Sequence, residues 1–184
     1  QYRLAAATYL LLSANPFTYY GEEIGMQAGA NLQADASLRT PMNWNNNALN
    51  AGFTAGNSLF RPLSANVATA NVESQLSAPD SLLGFYRTLF ALRQAYPALL
   101  SGIKTALSQD NESVLIWQSA SDNNDFIVAI NLSAQALTKT INVSRNAASF
   151  TNIYGEQAAL DSNTTGQVSV NLEGFDIQVW HFNQ

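Results

Sequence analysis

The chain has no cysteine, a single histidine and only eight Lys and Arg residues among its 184. Without cysteine it can form neither disulfides nor thiolate metal sites. Charged residues make up 11% of the sequence, against roughly 25% in an average soluble protein. The net charge is −5, and the few basic residues form no cluster. Such a chain repels nucleic-acid phosphates, so we expect no nucleic-acid partner.

Long apolar segments are also missing. The stretch from Leu4 to Leu12 is apolar, but a membrane-spanning helix needs about 20 such residues, so we expect no membrane partner. The start of the chain has no basic region followed by an apolar one, as a signal peptide would. It begins abruptly in an apolar helical pattern, which predicts a segment of a longer protein. The localisation stays open, with a bacterial extracellular or periplasmic location favoured over the cytoplasm.

The first 102 residues contain both helix and strand patterns. Residues 1–14 are rich in Ala and Leu and predict a mostly buried helix that ends at Asn15-Pro16. The apolar run 17–20 predicts a short buried parallel strand. Residues 21–78 predict a long irregular region, and residues 80–96 a helix. Asp80 suits the positive end of that helix, and Pro97 stops it.

After Gly102 the apolar residues recur with period two, which is typical of half-buried strands. We predict six strands, at residues 114–117, 126–131, 138–143, 149–153, 167–172 and 176–182. Turn-forming residues separate them, for example at 121–125, and no helical pattern interrupts them. The sequence therefore predicts an α+β chain with two domains, 1–102 and 103–184, the second an antiparallel β-sandwich.

Two acidic residues, Glu22 and Glu23, directly follow the predicted strand at 17–20. In a parallel barrel the C-terminal ends of the strands carry the functional groups. The alternative is a helix N-terminus, where two Glu side chains favour the positive end of the helix dipole. The residues themselves leave both interpretations open.

Three motifs resemble the α-amylase family of glycosidases. The run from Asn15 through Tyr20-Gly21-Glu22-Glu23-Ile24-Gly25-Met26 resembles the eighth strand of that family's (β/α)8 barrel. Arg39-Thr40-Pro41-Met42-Asn43-Trp44 resembles the segment that follows in α-glucosidase-like and intermediate members. The helix at 80–96 resembles the last barrel helix, and the tail resembles the family's C-terminal sandwich. The resemblance covers essentially the whole chain, in the family's order.

The resemblance implies a retaining enzyme whose substrate is an α-linked glucan or oligosaccharide. In the family the catalytic carboxylates follow barrel strands four, five and seven, which would precede Gln1, so no residue here is assigned a catalytic role. We expect the chain alone to be inactive. Four residues remain as candidates for substrate binding: Glu22, Glu23, Arg39 and Trp44. We expect no cofactor here, and the resemblance allows Ca²⁺ only elsewhere in the complete enzyme.

Each of these assignments has an alternative. Arg39 could instead form a structural salt bridge with Glu22 or Glu23, and Trp44 could be a core residue, which we favour over stacking on a sugar. The whole chain could instead be a stand-alone carbohydrate-binding β-sandwich with a helical arm, or the sandwich could be purely structural. We also expect the chain to self-associate, because its barrel portion would expose apolar surface.

Overall fold

The structure is a computed structural model that describes residues 1–12, 14–56, 58–108, 113–121 and 124–183. The chain forms two compact units. The first consists of Gln1, Arg3–Asn15 and Ala91–Gln184, and the second of Tyr2 and Pro16–Phe90. The boundary between these units falls inside one helix, whereas the sequence placed a domain boundary near residue 102. The division into domains at residue 102 stays a prediction.

The described helices include the two that the sequence predicts, and also short ones within the region 21–78 that was predicted to be irregular and after Pro97. They are α1 (Tyr2–Leu12), α2 (Val72–Leu76), α3 (Leu82–Ala95) and α4 (Ala98–Ser101), with two short 3-10 helices at Glu22–Ile24 and Ala34–Leu38. The helix predicted at 1–14 is thus confirmed as α1. Its Leu and Ala side chains are mostly buried, as predicted. In the part of the chain that the structure describes, no helix has the length and apolarity needed to cross a membrane.

Arg93 donates hydrogen bonds to one carbonyl group in the last turn of α1 and to another just beyond the helix. One terminal nitrogen of the Arg93 guanidinium donates to the carbonyl of Leu10, and the other donates to the carbonyl of Ala14 at 3.0 Å. The last carbonyls of a helix lack partners within the helix, and a cation stabilises the negative end of its dipole. One arginine of α3 therefore fixes the end of α1 within the first unit.

The predicted strand at 17–20 is wrong. Residues 16–19 are irregular and Tyr20 begins a turn. The Phe17 side chain is 93% exposed. A parallel strand needs a neighbouring strand to pair with its backbone groups. Among the described residues the named strands all lie between 103 and 183, and each pairing is antiparallel. Although residues 17–20 have a β-prone composition, they have no strand partner among the described residues.

Helix α3 confirms the helix predicted at 80–96, but its start is capped by a different residue. The Ser81 hydroxyl accepts a hydrogen bond from the backbone N–H of Gly84 at 3.0 Å. This is the N-cap arrangement, which supplies an acceptor to one of the first unpaired N–H groups of a helix. The helix buries Phe85, Tyr86, Leu89 and Leu92. Their spacing of three and four residues places them along one stripe.

Two antiparallel sheets follow in the first unit. The strands are β1 (Ile103–Ala106), β2 (Val114–Ala120), β3 (Asn124–Asn131), β4 (Leu137–Asn142), β5 (Ser149–Tyr154), β6 (Leu160–Asp161), β7 (Gln167–Leu172) and β8 (Ile177–Asn183). Six of them form a sheet in the order β1-β2-β3-β8-β5-β6, while β4 and β7 form a two-stranded sheet. All six predicted strands are present. Asp122 and Asn123 of the turn predicted at 121–125 lie outside the described residues.

Both sheets contribute to one hydrophobic core. Its buried members include Ile116 and Ile127 from the larger sheet and Ile141 and Val170 from the smaller one. Trp180 of β8 is fully buried in this core. Its indole N–H donates to the carbonyl of Ala158 at 2.9 Å, which satisfies the one polar atom of the ring. Side chains from one face of each sheet thus meet in a shared interior. Burial alternates along β7, whereas β3 is buried along nearly its whole length.

A buried ion pair, Asp125–Arg145, joins the larger sheet to the segment after β4. The Asp125 carboxylate is 1% exposed, and its Oδ2 accepts from Arg145 Nε at 2.7 Å and from the Ser144 hydroxyl at 3.0 Å. The Gln118 amide donates to the same oxygen at 3.3 Å. The bond to Asp125 raises the pKa of Arg145 above its ordinary value. A buried carboxylate is tolerable only when it is hydrogen-bonded in this way.

Replacing Asp125 by Ala should destabilise the chain strongly. The change removes the acceptor of three side chains and leaves Arg145 without its buried partner. We expect a loss of about 3 kcal/mol, the lower end for breaking a buried ion pair, because Arg145 keeps some contact with water. Urea unfolding followed by circular dichroism measures it. Asp161→Ala, an exposed Asp in β6, is the matched control and should change stability by less than about 0.5 kcal/mol. Equal effects of the two variants would contradict the assignment.

Candidate functional site

The two acidic residues Glu22 and Glu23 lie on a tight turn between two glycines. Gly21 and Gly25 both have positive φ, at 89° and 70°. A Cβ on Gly21 would lie 2.6 Å from the Met26 sulfur, so glycine is required there on two grounds. The Glu23 carboxylate accepts a hydrogen bond from the Gly21 backbone N–H at 2.7 Å. Glu23 therefore stabilises its own turn.

A cleft of about 530 Å³ opens beside this turn in the second unit. We call it the aromatic cleft. Its lining residues are Tyr20, Glu23, Arg39, Thr40, Pro41, Met42, Trp44, Phe53, Leu59, Phe60 and Arg61. Three of the four predicted site residues therefore meet here, since Glu23, Arg39 and Trp44 all line it. The volume is in the range of sites for small organic ligands, roughly 300–1,000 Å³.

Trp44 is not a core residue, so the interpretation favoured from the sequence is wrong. The ring is 51% exposed and lies on the aromatic cleft together with Phe53 (53% exposed) and Phe60 (96% exposed). The preceding residue, Asn43, is the one that is fully buried, and it makes hydrogen bonds in the interior. With Asn43 turned inward, its neighbour along the chain faces outward.

Arg39 pairs with Asp35, and not with Glu22 or Glu23 as the salt-bridge alternative supposed. The guanidinium of Arg39 lies 2.7 Å from the Asp35 carboxylate, four residues earlier, and both side chains are exposed. Such exposed pairs contribute little to stability, between about 0 and 1 kcal/mol. The other arginine of the aromatic cleft, Arg61, donates to the carbonyl of Ala36 at 3.0 Å and lies over the Phe60 ring at 5.5 Å.

Glu22 lines a second cleft, of about 370 Å³. This cleft shares Tyr20, Arg39 and Thr40 with the aromatic cleft, so these residues form the wall between the two. The Tyr20 hydroxyl donates to the Thr40 carbonyl at 2.8 Å. Burial and then the neighbouring Tyr19 raise the pKa of Tyr20, which keeps the phenol protonated and able to donate.

The two clefts differ in the acidic groups that line them: Glu23 lines the aromatic cleft, and Glu22 and Asp35 line the second cleft. Retaining glycosidases need two carboxyl groups about 5–5.5 Å apart on either side of the scissile bond. Here Glu22 and Glu23 line different clefts. Within the described ranges no group of three His, Asp or Glu side chains could hold a metal ion. The aromatic cleft therefore offers ring faces, two guanidinium groups and one carboxylate.

Several lining residues were not predicted from the sequence. Phe53, Phe60 and Arg61 belong to the long irregular region, where no periodicity marks which side chains share a surface. Their one signal was chemical: large aromatic side chains standing in a segment rich in Asn, Ala, Gly and Ser. Such residues are poorly suited to a solvated loop unless they contact something.

Residues 1–102 match the model of the α-amylase family described as "Alpha amylase, catalytic domain". The trehalose synthase/amylase TreS of Mycobacterium tuberculosis is 37% identical over 139 residues, which cover 71% of this chain and 23% of that protein. The α-amylase SusG of Bacteroides thetaiotaomicron is 34% identical over 142 residues, which cover 73% of this chain and 20% of SusG. The chain thus spans about a fifth to a quarter of the length of these relatives.

A solved structure shares the fold. The isomaltulose synthase of Erwinia rhapontici NX5 superposes with a TM-score of 0.77 at 22% identity, over 100% of this chain and 38% of the synthase. At that identity the likeness concerns the fold alone. The family model, however, matches more than half of this chain, and its match includes both clefts. The chain belongs to the α-amylase family.

Proposed function

We propose that this chain is the C-terminal part of a retaining α-glycosidase that acts on α-linked glucans or oligosaccharides. Residues 1–102 would be the end of the catalytic barrel and residues 103–184 the C-terminal β-sandwich. The observation that carries the proposal is the aromatic cleft, which lies within the segment matched by the catalytic-domain model. The core shared by the two antiparallel sheets supports the sandwich. The catalytic carboxylates would belong to the preceding part of the enzyme.

The chemistry of the aromatic cleft suits a neutral sugar. Sugar rings present apolar faces that stack on aromatic side chains, and hydroxyl groups that accept from guanidinium donors. Trp44, Phe53 and Phe60 offer the faces, while Arg39 and Arg61 offer the donors. The charge of Arg39 is balanced by Asp35, and the cleft also contains Glu23. An anionic ligand would therefore meet no net positive site.

The alternative, a stand-alone carbohydrate-binding sandwich, predicts a different place for the sugar. A binding module of that kind would use a surface of residues 103–184. The aromatic cleft lies instead between residues 20 and 61, in the segment that only the enzyme interpretation needs. Localising the bound sugar therefore separates the two functions.

We predict that the chain binds maltooligosaccharides through Trp44. Of the three Trp residues, Trp117 and Trp180 are buried, so a ligand at the cleft should change the emission of Trp44. Trp44→Ala should weaken binding about tenfold in calorimetric titration, the effect expected for losing one stacked aromatic face. Leu49→Ala, an exposed apolar residue nearby that does not line the cleft, should leave the affinity unchanged. An unaltered Kd in Trp44→Ala would argue for the sandwich alternative.

We predict that the 184-residue chain does not turn over glycosides. Its barrel portion contains Glu22, Glu23, Asp35, Glu73 and Asp80 as its acids, and the first two line different clefts. The measurement is release of p-nitrophenol from an α-glucoside and of reducing sugar from starch. A complete α-amylase family enzyme serves as the positive control. Activity that persists through repurification and vanishes in the double variant Glu22→Gln, Glu23→Gln would refute the proposal.

We also propose that the chain self-associates in solution. Phe17 and Phe60 are almost fully exposed, and Tyr19 and Tyr20 are partly so. Exposed apolar surface of this kind marks association sites. Sedimentation velocity at micromolar concentrations should show species larger than the monomer of 19.9 kDa. Phe17→Ser should shift the distribution toward the monomer, whereas a monomeric wild-type chain would end the proposal.

A further inference from the structure

Asn43 is fully buried beside the aromatic cleft and makes hydrogen bonds with two distant stretches of the second unit. Its amide nitrogen donates to the Ser64 hydroxyl at 2.7 Å and to the Ala70 carbonyl at 2.8 Å. Its backbone carbonyl accepts from the N–H of Val72 at 3.0 Å. The motif that contains Asn43 is thus fixed to residues that follow it by more than twenty positions.

The backbone of Trp44, the next residue, is fixed on two sides. Its N–H donates to the carbonyl of Ala51 at 2.9 Å, and its carbonyl accepts from the N–H of Glu73 at 2.9 Å. Gly52 packs so closely that a Cβ there would lie 3.2 Å from the Trp44 Cβ. The position of the ring therefore depends on the stretch around residues 70–73. The Asn43 side chain bonds to that stretch at Ala70, beside the two backbone bonds to Val72 and Glu73.

The Asn43 amide does not maximise stability. Its oxygen is buried and has no hydrogen-bond partner among the described residues. An unpaired buried acceptor costs free energy, because it has lost its bonds to water. Departures of this kind are expected where a residue serves a site as well as the fold. The same amide stabilises the segment through the two hydrogen bonds that its nitrogen donates, to Ser64 and to Ala70.

We infer that Asn43 is a positioning residue: its amide holds the Trp44 ring at the orientation in which it can stack on a sugar. The part of this inference that concerns sugar rests on the proposed function. Asn43 does not line the aromatic cleft and acts through its neighbour. A ring held in place loses little freedom on binding, and such preorganisation raises affinity.

The first test needs no ligand. Acrylamide quenching reports mainly on Trp44, since the other two indoles are buried. In Asn43→Ala the Stern–Volmer constant of the accessible tryptophan should rise and its anisotropy should fall, because the ring is no longer held. Unchanged quenching and anisotropy in a folded variant would overturn the inference, whatever the outcome of sugar binding.

The second test compares two buried asparagines. Asn131 of β3 is also fully buried, and its amide nitrogen likewise donates two hydrogen bonds, to the carbonyls of Gln135 and Glu173 at 2.7 Å each. Both Asn43→Ala and Asn131→Ala should lower the melting temperature. Only Asn43→Ala should weaken maltooligosaccharide binding, by up to about tenfold, because binding must then order the freed Trp44 ring. The exposed Asn46→Ala should change neither quantity. Equal losses of affinity in the two buried variants would contradict the inference and show that Asn43 serves only the stability of the fold.

A milder variant covers the case in which Asn43→Ala fails to fold. Ser64→Ala removes one of the two acceptors and leaves the Ala70 bond in place. It should raise the Stern–Volmer constant and weaken sugar binding by a smaller factor than Asn43→Ala. No change in either quantity would contradict the inference. If the wild-type chain binds no maltooligosaccharide at all, the proposed function fails, and the quenching measurements alone decide the role of Asn43.

Discussion

The two hydrogen bonds from the Asn43 amide join stretches of a segment that has little regular secondary structure. Other amide side chains do the same in this unit. Asn66 donates to the carbonyl of Gly25 and accepts from the N–H of Gln27, while Gln75 donates to the carbonyl of Ile24. An amide can both donate and accept, so one side chain can replace two missing backbone partners. The irregular segment depends on these side-chain hydrogen bonds, since buried backbone groups must be paired.

Dependence on amides also explains how a chain with so few charges forms a defined cleft. Two of the ion pairs among the described residues lie in different settings. Asp125–Arg145 is buried and fixes the sheets, whereas Asp35–Arg39 is exposed at the wall between two clefts. A ligand in the aromatic cleft therefore meets ring faces together with charged groups of both signs, the guanidinium groups of Arg39 and Arg61 and the carboxylate of Glu23.

The regular elements could be predicted from sequence because each has its own local signal. The alternation of apolar and polar residues predicted the six longer strands. Runs of helix-forming residues bounded by proline predicted α1 and α3. Strands β1 and β6 could not be predicted, since β1 is mostly exposed and β6 has two residues. The strand expected at 17–20 failed because strand structure depends on a partner, which local composition does not encode.

The candidate site was predictable only in part. Resemblance of motifs led to Glu23, Arg39 and Trp44, which the structure brings together. The role of Trp44 was misjudged, because whether a tryptophan is buried depends on which neighbour takes the interior position. Asn43 took that position, and an Asn between Met and Trp carries no periodic signal. Phe53 and Phe60 reach the same surface through loop geometry alone.

The strand order has a consequence for the order of events on the ribosome. Strand β8 is the last in the chain, yet it lies between β3 and β5 inside the six-stranded sheet. A nascent chain that lacks residues 177–183 holds β1-β2-β3 and β5-β6 as separate pieces with open edges. Chains emerge N-terminal end first, and pairings distant in sequence form slowly. The sheet therefore cannot be completed during synthesis until β8, which comes last in sequence among its six strands, has left the exit tunnel.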